Sequence, residues 1–484
     1  MRLISLGFSL ILLLLSSYLL LFRYLTLSFE WLDFILCILG TFTTYLLVRK
    51  VGVSLDHQFN RIIGAFLEGK TEQLTPDKGL IRTFGLLLLT LLPFLVFLLG
   101  LALYSAVLFS IEGFTLVLKL PRVPVALLLG LAVVLFGSGI AVLFGLYRFF
   151  VPPKNKTLGI QLKQTDHPAL WQMTRQIAEQ LRTKPIDQII LLPGPGISVH
   201  LEGNLFHAML GGGLRTLHLG LVSINGLATD ELRAILAHEY GHFGNRDTQW
   251  SAFTYSMGNS LLSAFRSTPG PMRDDSQTKT NGKGEGPGLM GAVMALNPAY
   301  WILFVFVNLF FRVTNSFSRI GEVMADVRAM TLYGGSAFRD GLSRVATNDR
   351  FFSEILQAQR IPDLLKEGKT IKNFSSYMTL SYESSPDDLK SFQSAILEEN
   401  PTHDLFDSHP ALKVRVDYSR RFRDSAAAEK QPVSDLFENW QQTGEELTKL
   451  YNSRLLAYLG SLNVEPPAPQ PTTEGAQQTD KTSV

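Results

Sequence analysis

Residues 238–242 read His238-Glu239-Tyr240-Gly241-His242. On a helix, a spacing of four sets both imidazoles on one face, one turn apart, which suits two ligands of a tetrahedral zinc. Glu239, next to His238, can reach a water on that metal without being a ligand itself. Zinc lowers the pKa of a bound water toward about 7 and polarises a carbonyl. A carboxylate in this position takes the water's proton and later passes it to a leaving amine. The chemistry on offer is therefore hydrolysis of a peptide bond. With nine histidines in 484 residues, the pattern arises by chance in on the order of 1 chain in 100; the bland alternative is a surface helix that happens to carry two histidines.

Zinc needs a third protein ligand and an open position. The single cysteine, Cys37, falls in an apolar segment, which excludes a cysteine-based zinc site and an internal disulfide. No third histidine follows His242-Phe243-Gly244 at the metzincin spacing. The best remaining candidate is Glu322 in Ser318-Arg319-Ile320-Gly321-Glu322-Val323-Met324-Ala325-Asp326. On a helix Glu322 and Asp326 share a face, so that one could bind metal while the other hydrogen-bonds a ligand imidazole. Taken alone, such a pair is usually a solvated helix face.

These residues need elements to position them. Thr229-Asp230-Glu231 supplies a cap and an acidic first turn for a zinc helix beginning near Leu232. Ahead of it, Thr216 to Ile224 alternates as a strand, expected to be the edge that pairs with an extended peptide. Ile186 to Leu192 reads as a strand stopped by Pro193-Gly194-Pro195-Gly196, and His167 to Arg182 as a helix. Ser267 to Met290 reads as a mobile loop; its glycines lack the context of a phosphate cradle. From Ser316 to about Arg423 the pattern is mostly helical. Segment 426–463 holds one more amphipathic helix, and the tail 464–484 has no core-forming residues and reads as disordered.

Only 18% of residues are charged, against about 25% in a soluble domain. The deficit lies in residues 1–150, where four spans are expected at about 3–22, 31–48, 84–111 and 123–147. Arg49, Lys50, Arg61, Lys70, Lys78 and Arg82 crowd the second connection. By the positive-inside rule that loop and everything after Arg148 lie in the cytoplasm of a multi-pass plasma (cell inner) membrane protein. Glu322 must meet the histidines on one side of the bilayer, so the intervening chain crosses an even number of times. Residues 250–311 are accordingly expected to form an apolar hairpin, partly embedded. A net charge of +2 provides no field for nucleic acid. A metal transporter would need ionisable groups inside its spans, and only Asp33 comes close.

The ordered set Leu232 to His242, Asn245-Arg246-Asp247, Glu322 with Ala325-Asp326, and Ser408-His409-Pro410 followed by Arg415 resembles membrane zinc metallopeptidases of the HtpX and CAAX prenyl endopeptidase type (peptidase family M48). The resemblance implies one zinc per chain, with ligands His238, His242 and Glu322 and with Glu239 as catalytic base. It also implies a gluzincin fold over roughly residues 160–425. Asp326 would be the partner of a ligand imidazole; His409 and Arg415 would hold structure or stabilise developing negative charge near the site. Where relatives carry an Asn-Ala-Phe-type segment before the edge strand, this chain has Ser198-Val199-His200 or Gly203-Asn204. Four spans are too few for the chamber of the CAAX enzymes, which makes that processing activity an alternative reading, alongside a non-catalytic membrane scaffold. The expectation is a helical membrane block of four spans followed by a mostly helical α+β zincin-type metalloprotease domain, residues 151–425. It would act on protein or peptide substrates, membrane or misfolded proteins among them, as part of membrane-protein quality control.

Overall fold

The computed structural model describes residues 2–26, 31–71, 78–151, 158–202, 213–243, 247–271, 289–366, 369–398, 410–424 and 430–461. His409, the centre of the expected mobile loop (272–288) and the tail 464–484 lie outside the described residues.

Four long helices come first: α1 (Arg2–Thr26), α2 (Trp31–Leu67), α3 (Lys78–Leu118) and α4 (Val125–Phe150). Each contains one of the expected apolar runs, and α2 and α3 continue well past theirs. Leucine-rich runs without water-competing side chains favour helix in hydrocarbon, where every backbone group must be satisfied internally. Pro93 is accommodated inside α3.

The next segment builds a four-stranded sheet in the order β1-β2-β4-β3, from β1 (Ile160–Gln161), β2 (Gln188–Leu192), β3 (Ile197–Glu202) and β4 (Leu214–Gly220), with α5 (Pro168–Gln180) between the first two strands. β2 and β4 run parallel, and β1 and β3 flank them antiparallel. Two expectations change here. The strand expected over Thr216–Ile224 stops at Gly220, and residues Leu221–Ile224 turn into a short helix, α6. A fully buried apolar run fits either state by pattern alone, and the Asn348 side chain, which donates to Val222 O at 3.2 Å and Asn225 O at 2.9 Å, favours the turn. β4 is also not an edge: it is hydrogen-bonded on both sides, and among the described residues the exposed edge beside it is β3, which had not been recognised as a strand.

α7 (Thr229–Gly241) follows directly and lays Leu232 and Leu236, both fully buried, into the core with Leu217 and Leu219 of β4. Burial of each such side chain contributes roughly 1.5–3 kcal/mol. The helix is capped differently from the expectation. Ala228 is the N-cap, the Glu231 carboxylate accepts from its N–H at 3.0 Å, and the Thr229 hydroxyl donates instead to Gln431 O at 2.9 Å.

The chain then runs back along the apolar block. α8 (Asp247–Ser267) packs along α4, where a Cβ on Gly145 would sit 2.6 Å from Ala264 Cβ and where Ser260 Oγ donates to Gly145 O at 2.7 Å. After α9 (Leu289–Ala295), α10 (Pro298–Tyr333) starts from Asn297. The Asn297 side chain accepts from Ala299 N at 3.1 Å and donates to Pro269 O at 2.7 Å. Phe265 lies against Tyr300 and Gly258 against Phe310, so α8 and α10 are antiparallel. Among the described residues, α10 is the fifth helix long and apolar enough to cross a membrane, beside the four in α1–α4. Its apolar first half had been assigned only to a partly embedded hairpin.

Among the described residues the remaining helices are α11 (Gly335–Phe351), a π-helical continuation (Phe352–Arg360), α12 (Ile361–Lys366), α13 (Phe374–Glu383), α14 (Pro386–Glu398), α15 (Leu412–Ser419), a 3-10 turn (Val433–Leu436) and α16 (Trp440–Ser461). α11 packs on α7, and α15 packs on α11 and α10.

Candidate metal centre

α7 and α10 cross close enough to share a site because Gly241 has no side chain. A Cβ there would lie 3.0 Å from Ala325 Cα and 3.1 Å from Ala325 Cβ. The Arg328 guanidinium of α10 donates to the Gly241 carbonyl, tying down the C-terminal end of α7.

At this crossing His238, His242 and Glu322 converge, with one ligand-type atom from each within 4.8 Å of the others. His238 Nε2 is 3.3 Å from Glu322 Oε2, His242 Nε2 is 3.5 Å from Glu322 Oε1, and the two Nε2 atoms are 3.3 Å apart. Two imidazole nitrogens and a carboxylate aimed at one point form the donor set that a tetrahedral divalent cation takes, with room for a fourth ligand. Glu239 Oε1 stands 4.0 Å from His238 Nε2, and its side chain is 19% exposed against 7% for His238 and 9% for Glu322. It borders the cluster on the accessible side.

The other face of His238 is locked. Its Nδ1 lies 2.7 Å from Asp326 Oδ1. Asp326 is fully buried and takes three further donors: Arg415 Nη2 at 2.6 Å on Oδ1, Arg415 Nε at 2.8 Å on Oδ2, and the Tyr418 hydroxyl. Four donors on two oxygens leave no acceptor capacity idle, the condition under which a buried charge is tolerated. Arg415 Nη2 also sits 3.5 Å from His238 Nδ1. Both are donors, so the carboxylate between them is what makes that approach acceptable. Phe338 of α11 closes the assembly, with the Arg415 guanidinium 5.6 Å from its ring centroid.

This arrangement sets the electrostatics. Burial alone would lower the His238 pKa, but the Asp326 carboxylate outweighs it and pushes the value up to about 10. Burial likewise opposes the Arg415 charge, and Asp326 again prevails, holding the guanidinium protonated. Burial and the same carboxylate raise the Tyr418 pKa, so the phenol keeps the proton it donates. With Nδ1 committed to Asp326, the basicity of His238 is expressed at Nε2, facing Glu322 and His242.

The structure thus brings together six of the seven residues singled out from the sequence: His238, Glu239, His242, Glu322, Asp326 and Arg415; the seventh, His409, lies outside the described residues. Sequence reasoning missed Tyr418, Phe338, Arg328 and the close approach at Gly241. Tyr418 stands three residues after Arg415 on one helix, a same-face spacing that could have pointed to it. His200 and His218 meet across β3 and β4 with their rings tilted, 4.8 Å between centroids.

Residues 206–421 match the family model described as Peptidase family M48. The match covers the metal centre and its supports, and leaves α1–α4 outside. No curated protein and no solved structure matches the chain.

Proposed function

We propose that this chain, whose residues 206–421 match the model of Peptidase family M48, is a membrane-bound zinc-dependent endopeptidase of that family. One observation carries the reading: His238, His242 and Glu322 converge on a single point with Glu239 beside it. Zinc held by His238, His242 and Glu322 would polarise a substrate carbonyl and acidify a water. Glu239 would serve as the base that takes a water's proton and as the acid that delivers it to the leaving amine nitrogen. Asp326 fixes the His238 tautomer and ring plane, and Arg415 with Tyr418 fixes Asp326. An intact Glu239 favours catalysis over a scaffold role, because a binding protein has no chemical use for a base in this place.

Five helices among the described residues, long and apolar enough to cross a bilayer, support a membrane setting. The carboxyl end of α2, which bears Arg49, Lys50 and Arg61, packs against the same domain that holds the metal centre. We read the basic loop and the catalytic domain as sharing a side, which by the positive-inside rule is the cytoplasm. A site bordering the bilayer suits membrane proteins or misfolded chains as substrates, hence a role in quality control.

The test is zinc content and casein hydrolysis by wild type, Glu239→Gln and Glu322→Ala in detergent. Cleavage by wild type is expected, with Glu239→Gln keeping zinc but losing about 10²–10⁴-fold in rate, and with Glu322→Ala losing the metal. A wild-type protein that holds no zinc sinks the reading. One that holds zinc and cleaves neither casein nor membrane proteins transfers it to the scaffold.

A further inference from the structure

The segment that matches the peptidase family begins long after α2 ends, yet α2 reaches the residues that support the metal centre. Its 37 residues extend to about 55 Å at roughly 1.5 Å per residue, almost twice a hydrocarbon core of about 30 Å. The surplus at the carboxyl end, beyond Arg49-Lys50, runs beside α10. Asp56 Oδ1 accepts from Arg319 Nη2 at 3.0 Å, one turn before Glu322. Phe59, fully buried, packs edge-on to Phe317 at 5.9 Å between centroids.

The end of α2 then meets α15. Phe66, 3% exposed, presents its ring to that of Tyr418 at 5.9 Å and 68°. Arg421 caps the helix: its Nη1 donates to Phe66 O at 2.6 Å and its guanidinium lies 5.1 Å from the Phe66 ring centroid. A cation on the last carbonyls of a helix is the favourable arrangement for the helix dipole. Gly69, at φ +75°, ends the helix at this place. Tyr418 in turn donates to Asp326, and Asp326 holds His238. The contacts form an unbroken series: Phe66 on Tyr418, Tyr418 on Asp326, Asp326 on His238.

We infer that the extension of α2, from outside the family-matched domain, is a positioning element of the metal centre. Phe66 fixes the Tyr418 ring that orients Asp326 behind His238, and Asp56 anchors α10 one turn ahead of Glu322. The inference rests on the reading of the cluster as a zinc site. It makes the membrane block part of the enzyme's site rather than only its anchor, because a displacement of α2 moves the supports of a zinc ligand.

The experiment is zinc affinity by chelator competition on the full-length protein in detergent, together with hydrolysis. Phe66→Ala is expected to weaken zinc binding about three- to tenfold, less than the 10–100-fold typical when a ligand's direct partner is lost. Phe66→Leu should restore most of it. In a Tyr418→Ala background Phe66→Ala should cost nothing further, since both act through one contact. Asp56→Arg should weaken binding, and Asp56→Arg with Arg319→Asp should recover it. Leu447→Ala, fully buried on α16, controls for general loss of stability and should leave zinc affinity unchanged. Unaltered affinity in folded Phe66→Ala overturns the inference, as does a loss that persists undiminished without Tyr418 or is matched by Leu447→Ala. A wild type without zinc overturns it together with the proposed function. A wild type that binds zinc and shows these shifts but hydrolyses nothing overturns the endopeptidase reading alone.

Discussion

Asp326 Oδ1 lies 2.7 Å from His238 Nδ1, and the carboxylate that makes this contact belongs to the helix that also carries Glu322, four residues earlier. A single element therefore carries one candidate ligand and orients another from behind. Any rotation of α10 would disturb both at once, which explains why so much packing is spent on it: Arg415 and Tyr418 from α15, Arg319 to Asp56 of α2, and Asn297 at its start.

Replacing Asp326 by Asn is expected to weaken zinc binding 10–100-fold, since the ligand imidazole loses a charged acceptor. It also leaves the Arg415 guanidinium buried without a counter-charge, a loss of about 3–5 kcal/mol in stability. Chelator competition and thermal unfolding measure the two separately. Unchanged affinity would remove Asp326 from the site's machinery.

Gly241 should tolerate little. Gly241→Val places a branched side chain where a bare Cβ already falls 3.0 Å from the Ala325 backbone, so α7 and α10 must separate. Overpacking of this kind costs about 1–3 kcal/mol, and here it also spreads the ligands. Zinc affinity should fall at least tenfold in Gly241→Val and less in Gly241→Ala. Equal affinities in wild type and both variants would show that the crossing distance does not set the site.

The helix of His238 and His242 and the Glu322–Asp326 pair were legible because helical spacing is a local property: i, i+3 and i+4 relations fix which side chains share a face before any tertiary contact exists. The first four apolar spans were legible for the same reason, whereas α10 was not read as a fifth. What escaped depended on pairing across the chain. β3 is short, lies between a Pro-Gly turn and residues without clear alternation, and becomes a strand only because β4 pairs with it. Thr229 reads as a cap from its neighbours, yet its hydroxyl is taken by Gln431, 202 residues away. Tyr418 acquires its meaning only once α15 is laid against Asp326.

Asp349 of α11 gives the fold a pH dependence. Burial raises its pKa to about 6 from 3.8, although the Ser223 hydroxyl, donating at 2.6 Å, works in the opposite direction. Between pH 3.8 and about 6 the native state keeps a proton that the unfolded state has released. Stability from this group is therefore full below pH 3.8 and falls as pH rises through about 6. Asp349→Asn removes the charge and keeps an acceptor for Ser223. Its melting temperature should exceed that of wild type at pH 7.5 and the difference should shrink toward pH 4.5. A constant difference across that range would show that Asp349 does not titrate in the window.

β3 offers a way to test how substrate is held. Gly220 N donates to Gly196 O at 2.7 Å, which makes 196 and 220 a hydrogen-bonded antiparallel pair. In the observed register, Ser198 with His218 and His200 with Thr216 are then hydrogen-bonded too, while the main-chain groups of Ile197 and Val199 point away from β4. Among the described residues no strand pairs with that edge, and we take those groups as the ones an extended peptide would use if added as a further strand. Val199→Pro removes one outward N–H without breaking the ladder, a position at which proline is tolerated on an edge. The loss of one hydrogen bond of about 1–1.5 kcal/mol should raise KM for peptide substrates roughly tenfold, with zinc affinity unchanged. Ser198→Pro, by contrast, takes an N–H out of the ladder itself and should lower the melting temperature. If Val199→Pro leaves KM as it was, the peptide does not pair with β3, and the substrate must be gripped by side chains around Glu239 instead.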